Sequence, residues 1–93
     1  MKIVLNKCYG GFSLNDKTLK RYNKLKGTSI INSGGIPRDD EILIQLVEEG
    51  GCNDIYSELT VVKIPDGCFW EISDYDGIET IYYSESEIKI KWN

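Results

Sequence analysis

Ninety-three residues, 41% apolar and 28% charged, describe one globular domain with a single core and exclude a disordered chain. The net charge of −4 disfavours binding to phosphate backbones, where lysine and arginine must replace counterions. The absence of histidine excludes Ser-His and Cys-His nucleophiles, and three scattered cysteines leave a four-ligand zinc site unfilled.

The chain opens on a short β-prone run, Ile3-Val4-Leu5, which reads as a buried strand. Gly10-Gly11 ends it. A helix then runs to Gly27, with Ser13 or Asn15 as its cap and Leu14, Leu19, Tyr22 and Leu25 at helical spacing. Its other faces are basic (Lys17, Lys20, Arg21, Lys24, Lys26), the one exception to the acidic balance; a solvated face is the ordinary reading of such a stripe. Residues 28–35 form a loop.

A second helix is expected over about Asp40–Glu49, capped by Asp39, with Ile42, Leu43, Leu46 and Val47 on its apolar stripe and Gly50-Gly51 as its stop. Four strands follow. Leu59–Ile64 is rich in β-branched residues, and Pro65-Asp66-Gly67 is a turn. Cys68–Ser73 alternates, with Trp70 and Ile72 on one side and Phe69 and Glu71 on the other. Asp74-Tyr75-Asp76-Gly77 is a hairpin turn before Ile78–Tyr83. Glu87–Trp92 alternates as an edge strand.

The expected fold is therefore α+β, in the order β-α-α-β-β-β-β, as a single domain over residues 1–93. A mainly antiparallel sheet of about five strands would carry both helices on one face. No apolar run approaches the ~20 residues of a membrane span, and the start is too short for a signal-peptide core. The expected location is the cytoplasm, with Cys8, Cys52 and Cys68 as reduced thiols.

Helix starts present unused backbone amides that attract phosphates and carboxylates. Gly10, Gly11 and Ser13 stand at the first such start, and Arg38, a forked donor, stands at the second. If the two openings lie side by side they would make an anion site. Tyr9, Phe12 and the turn-tip Tyr75 could stack on a base. The ligand-binding candidates are thus Tyr9, Gly10, Gly11, Phe12, Ser13, Arg38 and Tyr75. The plainer reading is that both glycine pairs are turns and that Arg38 pairs with Asp39, Asp40 or Glu41. The Walker and dinucleotide fingerprints are absent. Asp66, Glu71, Asp74, Asp76 and Glu79 cluster around the hairpin, but a plain turn explains them better than a metal site, and no cofactor or metal is expected.

Three blocks, KIVLNKCYGGFSL, IPRDDEIL with VEEGG, and LTVVKIPDGCFWEISDYDGIE, together resemble a family of small uncharacterised proteins of phages and prophages. The ending SESEIKIKWN departs from the basic, histidine-containing tail common there. The resemblance implies a phage or prophage origin, and with it a non-enzymatic accessory role in phage–host conflict inside the host cytoplasm. It implies no activity that transfers residue by residue. Two binding roles follow, with an enzyme third. Counter-defence by sequestering a nucleotide-like signalling ligand is preferred and requires an exposed Arg38 beside the Gly10-Gly11 amides. A homodimer holding the ligand between its subunits would suit a chain this short. The alternative is an acidic inhibitor that blocks a host defence protein or nuclease, which requires a contiguous exposed acidic or aromatic patch around Tyr75 and Asp76.

Overall fold

In a computed structural model, which describes residues 1–53 and 57–85, the fold is α+β. Strand β1 (Lys2–Asn6) is followed by helix α1 (Asp16–Lys26), a single 3-10 turn (Ser33–Gly35) and helix α2 (Glu41–Glu49). Three strands complete it: β2 (Leu59–Lys63), β3 (Phe69–Tyr75) and β4 (Ile78–Ser84). The predicted last strand, Glu87–Trp92, lies outside the described residues.

The strands form two separate antiparallel ladders, β1–β2 and β3–β4, where one continuous sheet was expected. Val4 sits opposite Val61 in the first, and Ile72 sits opposite Ile81 in the second. One feature bears on the split. The free edge of β1 is already used: the Val4 amide donates to the Arg38 carbonyl at 2.9 Å, and the Asn6 backbone amide donates to the Glu79 carboxylate at 2.8 Å.

The β3–β4 hairpin therefore packs its inner face onto one face of β1–β2. Ile3, Leu5 and Ile64 meet Val62, Trp70, Ile72 and Ile81 there. Val4, Leu59 and Val61 point the other way, into a core made with Leu14, Tyr22, Leu43, Leu46 and Val47. Helix α2 lies on that second face and α1 packs against α2. A run of consecutive apolar residues suits β1 because it is covered on both sides, and Ile3, Val4 and Leu5 are all buried.

The helix starts settle one cap between the two residues offered and shift the other by one residue. Of Ser13 and Asn15, Asn15 caps α1, accepting from the Thr18 amide at 2.8 Å; its side-chain nitrogen also donates to the Gly51 carbonyl at 2.8 Å. Gly27 closes the helix in the left-handed conformation (φ 75°). Leu25 is half exposed, and Thr18 joins Tyr22 on the buried side. Asp40, not Asp39, caps α2, accepting from the amides of Ile42 and Leu43 at 2.9 and 3.0 Å. Its second oxygen accepts from the Tyr22 hydroxyl at 3.0 Å and from Lys26 at 2.9 Å. One carboxylate thus ends α2 and ties α1 to it.

Candidate functional site: the hairpin and its seat

The Gly10-Gly11 turn leaves β1 with positive φ angles of 119° and 104°. It does not open onto solvent as an anion cradle. The tip of the β3–β4 hairpin sits on it, and the Gly10 amide donates to the Asp76 carbonyl at 3.2 Å. The approach is close enough that a Cβ on Gly77 would stand 2.3 Å from the Gly11 nitrogen and 2.6 Å from that of Gly10. Gly77 itself has φ 93° and Asp76 has φ 52°, the paired positive angles of a two-residue hairpin turn. Asn6, fully buried, fastens the seat. Its side-chain amide donates to the carbonyls of Gly77 (2.6 Å) and Cys8 (2.7 Å), and its oxygen accepts from the Glu58 amide (2.8 Å).

Arg38 is part of the same fastening. Its guanidinium grips Glu79 with both terminal nitrogens, Nη2 to Oε2 at 2.8 Å and Nη1 to Oε1. Nη1 also reaches the Val4 carbonyl, and the guanidinium plane lies 3.8 Å from the centroid of the Phe12 ring. The Glu79 side chain is only 4% exposed and that of Arg38 is mostly buried. Burying two charges costs several kcal/mol per ion and is offset only when every acceptor finds a donor. Here Glu79 accepts from both guanidinium nitrogens and from the Asn6 amide.

Arg38 thus meets Phe12 and the chain's own Glu79, while Gly10 and Gly11 meet Asp76 and Gly77 of the hairpin turn. Arg38 pairs with none of the neighbouring acids proposed for it. At the helix starts the Thr18 amide donates to Asn15, and the Ile42 and Leu43 amides donate to Asp40. The Ser13 carbonyl accepts from the Ser57 hydroxyl at 3.0 Å. Tyr9 is exposed beside the turn, and Tyr75 projects from the hairpin tip, 74% exposed. Two shallow depressions of about 350 and 380 Å³ lie elsewhere, beside Lys2 and Asp39 and beside α1.

Asn6 and Glu79 were missed by the sequence reading. A signal for Glu79 was present. In Ile78–Tyr83, alternation puts Glu79 on the same side as Ile81, and Ile81 faces the core. A charge at such a position demands a buried partner.

The opposite face of the hairpin carries different chemistry. Register places Phe69, Glu71, Ser73 and Tyr75 of β3 beside Tyr82, Thr80 and Ile78 of β4 on the side away from β1. Phe69 and Tyr82 are each about half exposed. Glu71 is exposed beside them, Asp74 and Asp76 are exposed at the turn end and Glu85 at the other, and no lysine or arginine occurs from 64 to 85. These carboxylates do not converge: among the described residues no group of three or more acidic or cysteine side chains could hold a metal ion. No helix of the described residues is long and apolar enough to cross a membrane.

No protein-family model, curated protein or solved structure matches the chain.

Proposed function

We propose that this is a non-enzymatic binding protein that acts by direct contact with another protein, through the outer face and tip of the β3–β4 hairpin. The observation that carries the reading is the exposed outer face on which Phe69, Glu71, Ser73 and Tyr75 of β3 stand beside Tyr82 and Thr80 of β4, with Asp76 exposed at the tip. Exposed aromatics provide contact area at low entropic cost, and the carboxylates select a basic partner surface. In the phage or prophage setting that the sequence resemblance implies, the partner is a host defence protein or nuclease blocked at a basic surface.

Sequestration of a nucleotide-like ligand is supported less well. It would have to draw Arg38 away from Glu79 and lift the hairpin from Gly10-Gly11. Breaking a buried ion pair costs about 3–5 kcal/mol, which lowers affinity by roughly two to three and a half orders of magnitude.

A photo-crosslinking side chain at Ser73, central on the outer face, tests the contact reading, with the same group at exposed Gln45 of α2 as control. In cells making the protein, Ser73 should give one dominant adduct that Gln45 does not. The adduct should vanish when Tyr75→Ser and Tyr82→Ser are added. No adduct, or the same adducts from both positions, would refute the reading.

A further inference from the structure

The strand edges of the described residues are guarded unequally. On β1 the outward amides of Val4 and Asn6 donate to Arg38 and Glu79, and β4 lies along that side. Strand β2 is five residues long, ends on Lys63 and has its Leu59 amide held by the Asn53 side chain. Short strands, lysines and covering groups are the usual ways an edge is kept from pairing with another chain. Strand β3 has none of these. It runs for seven residues in unbroken register, without proline, lysine or bulge. Parity shows which backbone groups it offers. The two-residue loop Asp76-Gly77 makes Tyr75 and Ile78 a hydrogen-bonded pair, so alternate residues turn outward. On β4 the outward Glu79 carbonyl accordingly accepts from Lys7 at 3.2 Å. On β3 the outward residues are Trp70, Ile72 and Asp74, whose N–H and C=O groups take no partner among the described residues.

The charges beside this edge are of one sign. Glu71 stands on its outer side and Asp74 on its inner side, both exposed, and residues 64–85 hold no lysine or arginine. The β3 of a second copy would bring the same carboxylates and nothing to neutralise them. We infer that an extended, basic segment of the protein partner adds to β3 as an antiparallel strand. The inference rests on the reading that the hairpin is the contact surface, and it names how the partner binds there. Backbone bonds to Trp70, Ile72 and Asp74 supply the attachment, and side chains supply the selection. Opposite Asp74 and Glu71 the segment places lysine or arginine. Opposite Ile72 and Trp70 it places apolar residues, which widen the inner face of the hairpin. Read from its N-terminus, the segment therefore has two basic residues three positions apart, the second flanked by apolar ones.

Three heptapeptides with blocked ends test it on the unmodified protein. TKTVKVT follows the pattern, TETVEVT reverses its charge, and TKTPKVT puts proline opposite Ile72. Exchange of the protein's backbone amides with solvent is followed by NMR in low salt. Millimolar TKTVKVT should slow exchange at Trp70, Ile72 and Asp74 by about tenfold. It should leave the Val61 and Lys63 amides, on the outer edge of β2, unchanged. TETVEVT should have no effect, because it sets carboxylates against Glu71 and Asp74. TKTPKVT should have none either, because proline cannot donate to the ladder. Glu71→Lys, an exposed change on the outer face, should abolish the response to TKTVKVT. Unchanged exchange with TKTVKVT, equal slowing by either of the other peptides, or a full response in Glu71→Lys would overturn the inference. So would slowing without peptide that grows with protein concentration, which would assign the edge to a second copy. A dominant Ser73 adduct to a different protein would survive each of those results, so the two readings fail separately.

Discussion

Glu79 and Arg38 hold each other in a place where neither tolerates being alone. Removing one leaves a buried charge without its counterpart, so Arg38→Ala and Glu79→Gln should each lower the unfolding free energy by about 3 kcal/mol. Replacing both by apolar residues, as Arg38→Met with Glu79→Leu, should recover most of that loss. Urea denaturation of the four proteins checks this as a double-mutant cycle. Gly77→Ala places a methyl 2.3 Å from a backbone nitrogen that cannot give way. It should cost about 2–4 kcal/mol, against about 1 kcal/mol for Gly67→Ala, where φ is also positive but the space is open. Equal losses in thermal melts would contradict the seat. At this scale the sequence was informative about type but not partner. Arg38, Gly10 and Gly11 stood out, yet their partners lie on β4 and its turn, more than forty residues further along or close to seventy. Only the core-facing position of Glu79 hinted at the pairing.

At the scale of elements, Asp40 decides how α1 and α2 are joined. Burial would raise its carboxyl, but the amide of Leu43, Lys26 and the Tyr22 hydroxyl outweigh that and hold it below the ordinary value. The unfolded chain binds this proton more tightly than the folded one. The stabilisation from Asp40 is therefore complete above the ordinary aspartate value of about 3.9 and is lost as pH falls through the lower folded value. Asp40→Asn keeps a capping oxygen but has no such proton to gain. Its melting temperature should drop less between neutral pH and about pH 3 than that of the wild type; parallel acid profiles would contradict the assignment. The elements themselves were largely legible, because caps, glycine stops and the Asp-Gly turn are local signals. The α2 cap slipped by one residue because two aspartates stood side by side, and the choice between Ser13 and Asn15 for α1 turned on a contact far along the chain, the Gly51 carbonyl that Asn15 reaches. The sheet was misjudged for a different reason. Strand patterns show which faces are apolar but not whether two apolar faces share an edge or stack.

Across the whole molecule, stacking the hairpin on β1–β2 spends one of its faces on the core and leaves the other to solvent. It also segregates charge, with lysines along α1 on one side and carboxylates around the hairpin on the other. That segregation could be counted along the sequence, but not that the two groups end up on opposite sides of the fold. Because the hairpin adds its inner face to a ladder already covered by α2, it should open as a unit. Arg38→Ala should speed hydrogen exchange of the β3–β4 amides more than those of β1, as followed by NMR. The most direct test of the whole account is an NMR titration that watches the Arg38 side-chain N–H groups and the Gly10 and Gly11 amides while cyclic and linear nucleotides and inorganic pyrophosphate are added. An Arg38 committed to Glu79, with the hairpin tip seated on the glycine turn, predicts that these signals stay where they are. Saturable shifts centred on Arg38 and Gly10 would show that this site takes an anion after all, and that the hairpin is its lid.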